Sequence, residues 1–224
     1  MLNHKDIQGL RDRHLGPSLR LSYKQPIHIV RGAGQYLFAA DGTKYLDCVN
    51  NIQHIGHSHP RVTYAARKQH EKLNTNTRYL DDTIVRYAQN LTNTLPNGLD
   101  VCFFTNSGSE SNDLALRLAR NFTKSKQTIV LESAYHGHLS SLIEISPYKH
   151  TKSGGTGPPD FVHTVPVPDP YRGKHRGLEC ANNYVEEVQR AIETIQNKNL
   201  RPSAFIVEAI MGCGGQILFP SSFL

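Results

Sequence analysis

The chain has 224 residues and a mass of 25.1 kDa; 38% of its residues are hydrophobic and 20% are charged, and its mean hydropathy is −0.46. These values exclude a disordered chain, and no apolar run reaches the roughly 18 residues that span a bilayer. The formal net charge of +6 fits nucleic acid, anionic membranes or phosphorylated small molecules as partners and does not choose among them. The basic residues are not regularly interleaved with aromatic residues, so we expect no nucleic acid and no membrane partner.

The first part of the chain predicts short strands and then helices. Strands are predicted over residues 27–31, 35–39 and 43–48, and Asp41-Gly42 between the last two predicts a hairpin with a type I′ turn. Pro60 suits the first turn of a helix that runs through residues 61–73. A second helix is predicted over residues 81–95, because its apolar residues repeat on one face.

From residue 101 the predicted elements alternate between strand and helix. Strands are expected over 101–105, 128–132, 161–167 and 204–210, and helices over 109–122, 139–145 and 184–196. A Gly- and Pro-rich stretch, 147–177, interrupts this order and surrounds the strand at 161–167. The alternation predicts an α/β domain with a mainly parallel sheet, preceded by a short N-terminal β segment.

The sharpest local feature is the sequence Phe-Phe-Thr-Asn-Ser-Gly-Ser-Glu-Ser-Asn at 103–112. A strand that passes through such a turn directly into a helix points several free N–H groups at one spot, which suits a phosphate. The alternative is ordinary helix capping by Ser107 or Ser109, with Gly108 serving only the turn. The residues alone leave both interpretations open.

Two further features follow predicted strands. Tyr135, His136 and Gly137 come directly after the strand at 128–132, where an aromatic ring can cover the face of a planar ligand. The alternative is a loop in which Tyr135 packs and His136 is solvated. Glu208 is a lone carboxylate in the apolar strand at 204–210, and a charge there is expected to be paired or functional.

Three histidines, His54, His57 and His59, lie within six residues and raise the question of a metal site. Structural zinc usually takes four ligands, often including Cys, and catalytic zinc usually adds a ligand from another element. We therefore expect no metal site, and we interpret this segment as a tight turn into the helix that starts at Pro60.

Taken together, these features resemble the class III aminotransferases, which use pyridoxal phosphate. The runs that carry the resemblance lie at 45–51, 56–60, 73–78, 104–110, 135–148 and 213–216. They are most similar to the alanine–glyoxylate aminotransferase 2-like branch, which includes ethanolamine-phosphate and 5-phosphohydroxylysine phospho-lyases. The resemblance implies part of a fold type I large domain over residues 51–224, preceded by a segment of the small domain over residues 1–50.

The resemblance also implies roles for individual residues. Ser107, Gly108 and Ser109 match the turn that holds the cofactor phosphate, and Tyr135 matches the aromatic residue stacked on the pyridine ring. His136 belongs to the same loop, and Glu208 matches a strand carboxylate beside the cofactor. Members of the family carry their pyridine-binding Asp and their cofactor-binding Lys further along than Glu208, whereas the last Asp and Lys here are Asp169 and Lys198. We therefore expect no catalytic residue in this chain, which would be a truncated form that is inactive on its own.

The expected function is that of the family: transamination, or elimination of phosphate from an O-phosphorylated amine. The substrate would be a small amine or phosphoamine, the partner a second copy of the chain, and the location the mitochondrial matrix, with the cytoplasm as the alternative. A non-catalytic module for dimerisation or interaction is the competing hypothesis. Four basic residues could hold a substrate phosphate or could simply be solvated: Lys149, Arg172, Lys174 and Arg176.

Overall fold

The computed structural model describes residues 2–50, 54–151, 154–177 and 179–224. The chain divides into two compact units, Met1–Thr83 and Ile84–Leu224. The resemblance run at 45–51 ends on Asn51, which lies outside the described residues. No helix among the described residues is long and apolar enough to cross a membrane.

The first unit holds helix α1 (His4–His14), strands β1 (Ile29–Ala33), β2 (Tyr36–Ala39) and β3 (Lys44–Leu46), and helix α2 (Pro60–Lys72). The strands form an antiparallel sheet in the order β1-β2-β3. All three were predicted from the sequence. Helix α1 was not predicted. It buries no residue and therefore has no apolar stripe that a sequence pattern could show. Its N-cap residue is Asn3, whose side chain accepts from the N–H of Asp6.

The predicted hairpin between β2 and β3 is present, but the type I′ turn is wrong. Among the turn residues only Gly42 has a positive φ, of 88°, whereas a type I′ turn needs one at Asp41 as well. The N–H of Gly42 donates to the carbonyl of Ala39, and the side chain of Asp41 accepts from the N–H of Thr43 at 2.9 Å. The loop is therefore a three-residue connection with glycine at its left-handed position.

The second unit is an α/β structure. Its strands are β4 (Gln127–Leu131), β5 (Val162–Val165) and β6 (Pro202–Ile206), which form a parallel sheet in the order β5-β4-β6. Its longer helices are α4 (Gly108–Thr123) and α7 (Ala181–Gln196), with short helices α5 (Ser140–Ile143) and α6 (Pro147–His150) between them. Helix α3 (Asp82–Thr92) begins near the boundary of the two units. The expected α/β class with a parallel sheet is confirmed.

Strand β4 lies at the centre of this unit, and its side chains alternate between two apolar clusters. Ile129 and Leu131 belong to a cluster with Tyr184 and Ile195 of α7. Val130 belongs to the other, with Leu116 of α4, Leu142 and Ile145. Helices therefore cover both faces of the sheet, as expected for parallel strands buried on both sides.

Two predicted strands differ from the structure. Residues 101–105 form no strand and pair with no strand of the described sheet, since an apolar pattern alone does not make a strand without a neighbour to pair with. The strand predicted over 204–210 is displaced toward the N-terminus and ends at Ile206. Helix α6 was also missed, since it begins with Pro147 inside the Gly- and Pro-rich stretch.

Candidate functional site

The start of α4 is built as a capped helix end. Ser107 is the N-cap residue, and its Oγ accepts from the N–H of Glu110 at 3.1 Å. The carboxylate of Glu110 turns back and accepts from the N–H of Asn106 at 2.6 Å. This is the Ser-x-x-Glu arrangement of a capping box, with one difference. The glutamate accepts from the N–H of the residue before the N-cap and not from that of the N-cap residue itself. The capping interpretation of Ser107 is therefore correct.

Capping leaves other donors at this helix end free. No described residue accepts from the N–H of Gly108 or of Ser109. The backbone of Gly108 is open on its outer side, because a Cβ added there would meet nothing within 4 Å. Since α4 is 16 residues long, its dipole adds partial positive charge at these N–H groups. The outer side of Gly108 therefore has room for an anion.

A loop that follows β4 lies against this helix end. A Cβ added to Gly137, whose φ is +143°, would lie 2.8 Å from Ser109 Oγ and 2.5 Å from Leu142 Cδ1. The N–H of His138 donates to Ser109 Oγ at 3.3 Å, and Asn112 Nδ2 donates to the carbonyl of His136 at 2.8 Å. Only glycine permits this approach, so Gly137 fixes how closely the loop and the helix meet.

The loop is also held from its other side. The N–H of Tyr135 donates to Glu208 Oε1 at 3.0 Å, and the N–H of His136 donates to Ser146 Oγ at 2.9 Å. Ser146 Oγ in turn donates to the carbonyl of Leu142. The backbone of residues 135–138 is thus fixed by side chains from α4, from the segment after β6 and from the connection between α5 and α6.

Glu208 has a different setting from the one predicted. It lies after β6, not inside it, because β6 ends at Ile206. Its two carboxylate oxygens accept from the N–H of Tyr135 and from the N–H of Gly212, each at 3.0 Å. Both carboxylate oxygens of Glu208 thus have a backbone N–H donor. Glu208 therefore joins the loop after β4 to the glycine-containing turn that starts at Gly212.

Tyr135 presents a half-buried ring at this site. Its neighbour Tyr148 meets it edge to face, with 6.0 Å between ring centroids. Lys149 Nζ lies 5.5 Å from the centroid of Tyr135 and 5.6 Å from that of Tyr148, within range of a cation–π contact with both.

His136 is the buried titratable group of the loop, with 5% of its surface exposed. Burial lowers the pKa of its imidazole, and the negative charge of Glu208 opposes that effect. Its Nε2 is buried and has no hydrogen-bond partner in the described part of the chain. The prediction of a solvated His136 is therefore wrong, because the ring is enclosed by the same packing that holds the loop.

The structure thus brings the predicted residues together around one corner of the second unit. Ser109, Gly137 and His138 are in direct contact, and Tyr135 and His136 are tied to Glu208 and Ser146. Sequence reasoning missed Asn112 and Ser146, which hold the loop by its backbone. A polar residue at the fifth position of a helix, or one between two short helices, carries no signal of its own.

The histidine segment is a turn, as expected. His57 Nε2 lies 2.6 Å from Asp47 Oδ2, and the backbone of His57 pairs with that of Gly34. Hydrogen bonds from the N–H of Asn50 and from the ring of His57 hold the pKa of Asp47 well below its usual range. Within the described residues, no cluster of His, Cys, Asp and Glu could hold a metal ion.

Comparison with known proteins places the chain in a family of transferases. Residues 20–224 match the family model described as aminotransferase class III. The chain belongs to this family, as the sequence resemblance indicated.

Individual relatives support the same family assignment. The chain is 47% identical over 228 residues to an alanine–glyoxylate aminotransferase 2-like protein of Drosophila melanogaster, a match that covers 99% of this chain and 46% of the relative. It is 37% identical to ethanolamine-phosphate phospho-lyase homolog 1 of Caenorhabditis elegans, covering 98% of this chain and 49% of the relative. The chain therefore spans about half the length of the curated relatives it matches.

The fold also matches a solved structure. A phospholyase from Arthrobacter, solved in complex with phosphoethanolamine, superposes with a TM-score of 0.86 at 32% identity. The match covers 97% of this chain and 51% of that one. The fold type I architecture expected from the sequence is confirmed for the part of the fold that this chain contains.

Proposed function

We propose that this chain supplies the phosphate and ring contacts of a pyridoxal phosphate site. The observation that carries the proposal is the pair of free N–H groups at Gly108 and Ser109, held against the loop of Tyr135 and His136. Membership of the class III aminotransferase family supports the same cofactor. Residues 1–50 would belong to the small domain and residues 51–224 to the cofactor-binding domain.

The residues present fit this cofactor. The N–H groups of Gly108 and Ser109 donate to a phosphate, and Ser109 Oγ, which accepts one bond from His138, still has its own hydrogen to donate. The ring of Tyr135 covers one face of a planar ligand, and Glu208 holds the backbone of Tyr135 in place. When bound, pyridoxal phosphate supplies an electron sink for chemistry at the carbon next to an amine.

For the whole protein, we propose elimination of phosphate from a small phosphoamine as the reaction. Support comes from the worm relative, named as a phospho-lyase homolog, and from the Arthrobacter phospholyase, solved with phosphoethanolamine. Transamination is the second candidate, because the Drosophila relative, at 47% identity, is named an aminotransferase. We assign no catalytic residue within this chain. A second subunit as partner and the mitochondrial matrix as location belong to the same proposal, with the cytoplasm as the alternative location.

The cofactor proposal is tested by titrating the chain with pyridoxal phosphate and with pyridoxal, followed by ligand absorbance and by protein fluorescence. Pyridoxal lacks the phosphate, so its affinity should be lower by about ten- to a hundredfold, the effect of one or two charge-assisted hydrogen bonds. Equal affinity for both ligands would overturn the phosphate assignment. Self-association without any cofactor binding would favour the non-catalytic interaction module.

The reaction is tested separately, on the product of the full coding sequence to which this chain belongs. Phosphate release from phosphoethanolamine, without any keto-acid acceptor, is the expected result. Amino transfer that depends on an acceptor, with no phosphate released, would favour the second candidate.

A further inference from the structure

We propose that Lys149 is the residue that recognises the phosphate group of a phosphoamine substrate. The inference rests on the proposed function and deepens it, because it assigns substrate specificity to one side chain. It begins with the four basic residues of the Gly- and Pro-rich stretch. The sequence alone could not tell which of them would bind a substrate phosphate: Lys149, Arg172, Lys174 or Arg176.

The structure separates these four residues by what they contact. Lys174 Nζ lies 2.8 Å from Glu187 Oε1, so its charge is already matched. Arg176 donates to the carbonyl of Gly173 in its own loop. Arg172 lies over the ring of Tyr171, 5.4 Å from its centroid, and that ring is 76% exposed. Lys149 alone of the four lies over the ring of Tyr135.

The position of Lys149 is set by the site loop. The N–H of Tyr148 donates to the carbonyl of Ala134 at 3.1 Å, and Ser146 Oγ accepts from the N–H of His136 at 2.9 Å. These two bonds attach α6 and the residue before it to residues 134–136. They therefore hold Lys149, the next residue of α6, beside the loop of Tyr135, and its Nζ lies 5.5 Å from the centroid of that ring.

The ammonium group is held loosely enough to serve a ligand. Among the described residues, no carboxylate lies within 4.0 Å of Lys149 Nζ, whereas Lys174 Nζ is paired with Glu187. An exposed cation–π contact is weaker than a charge-assisted hydrogen bond to phosphate. A phosphate dianion would therefore draw the ammonium group away from the two rings.

This cation is separate from the donors assigned to the cofactor. The free N–H groups of Gly108 and Ser109 lie at the start of α4, whereas Lys149 lies on α6. Two phosphates, one of the cofactor and one of the substrate, would thus have separate partners. A substrate without phosphate gains nothing from Lys149.

The test measures phosphoethanolamine binding by calorimetry with the cofactor-loaded chain, for wild type, Lys149→Met and Lys149→Arg. Methionine keeps an apolar stem over the rings and removes the charge. We expect Lys149→Met to weaken phosphoethanolamine binding about ten- to a hundredfold and Lys149→Arg to retain most of it. Ethanolamine, which lacks the phosphate, should bind all three proteins equally. The salt dependence of phosphoethanolamine binding should also be smaller in Lys149→Met.

Lys126→Met is the matched control, because Lys126 is an exposed lysine just before β4, at the end of that strand away from Tyr135. It should bind phosphoethanolamine like wild type. Equal phosphoethanolamine affinity in wild type and Lys149→Met would overturn the inference, as would a loss in Arg172→Met alone. Failure of the wild-type chain to bind pyridoxal phosphate would instead overturn the proposed function, so the two failures are distinguishable.

Discussion

Ser107 and Ser109 lie two positions apart at the start of α4, and their hydroxyl groups serve different partners. Ser107 Oγ accepts from the N–H of Glu110 within the helix, whereas Ser109 Oγ accepts a long bond of 3.3 Å from the loop residue His138. The first hydroxyl stabilises the helix. The second remains available to a ligand.

Substitution of each serine by alanine should therefore have a different effect. Ser107→Ala should lower the free energy of unfolding by about 1 kcal/mol, as the loss of an N-cap does. Ser109→Ala should leave stability within about 0.5 kcal/mol and weaken pyridoxal phosphate binding about ten- to a hundredfold. Denaturant titration and cofactor titration of both variants check this pair. Unchanged cofactor affinity in Ser109→Ala would show that this turn is only a helix cap.

His136 should make the chain sensitive to mild acid. Burial lowers the pKa of its folded form below that of the unfolded chain, so below about pH 6.5 the unfolded state binds more protons. Stability is then lost as the pH falls from the unfolded pKa toward the folded one. The midpoint temperature of thermal unfolding should decrease as the pH is lowered from 7.5 to 5.5. It should decrease less steeply in the His136→Gln variant. His70→Gln, at an exposed position on α2, is the control and should follow wild type.

Helix α7 holds the irregular segment at 169–177 through one buried phenol. Tyr184 is 1% exposed, and its hydroxyl accepts from the N–H of His175 at 3.0 Å and lies 2.9 Å from the carbonyl of His175 and 3.3 Å from that of Asp169. Glu187, one turn further along, meets Lys174, His175 and Arg190. The same helix face thus packs against the sheet and anchors the segment.

Tyr184→Phe should destabilise the chain by about 1 to 3 kcal/mol, because the N–H of His175 loses its partner in a partly buried place. Tyr171→Phe removes a hydroxyl from a ring that is 76% exposed and should change the free energy of unfolding by less than about 0.5 kcal/mol. Denaturant titration compares the two. Equal effects would mean that the segment is held by packing alone.

The sequence allowed the elements of this fold to be predicted wherever an apolar pattern and a tertiary partner agreed. Helix α4 and strands β4 and β5 lie within the predicted ranges or within one residue of them, because each has an apolar face buried in the two clusters. The strand predicted at 101–105 had the pattern without the partner. Helix α1 has capping residues but no buried apolar face, so it shows no periodic pattern from which it could be predicted.

The candidate site was predictable only at the level of residue types. Ser109 was singled out in a turn between a predicted strand and a helix, Tyr135 because it follows a predicted strand, and Glu208 because it is a lone carboxylate inside one. The structure places all three near one loop. The sequence could not predict that Glu208 lies beyond its strand, since the end of β6 depends on how far β4 extends beside it. It could not predict the contact of Lys149 with Tyr135 either, because α6 has no sequence pattern of its own.

The second unit exposes several large apolar side chains that its own core does not cover. Phe122 of α4 is 90% exposed, and Val101 and Phe103, before that helix, are 78% and 65% exposed. Strand β6 is an edge of the described sheet, and its Phe205 is 39% exposed. Such surface is typical of interfaces and of chains that aggregate.

We therefore expect the 224-residue chain to bind a hydrophobic dye and to self-associate at micromolar concentration. The double variant Phe103→Ser and Phe122→Ser should reduce both effects with little change in the unfolding midpoint, because these side chains contribute little to the core. Dye fluorescence and light scattering after gel filtration are the measurements. A monodisperse monomer that binds no dye would contradict the expectation.

The central position of β4 predicts a contrast in amide exchange within the second unit. Ile129, Val130 and Leu131 are at most 1% exposed, and the strand is paired on both sides. Its amide hydrogens should be the slowest in the second unit to exchange with deuterated water, whereas those of Gly108 and Ser109, which have no acceptor among the described residues, should exchange within seconds. The N–H groups assigned to the cofactor phosphate are then open to solvent at the start of α4, while the strand that leads into the site loop stays closed. Addition of pyridoxal phosphate should slow exchange at Gly108 and Ser109 and leave β4 unchanged.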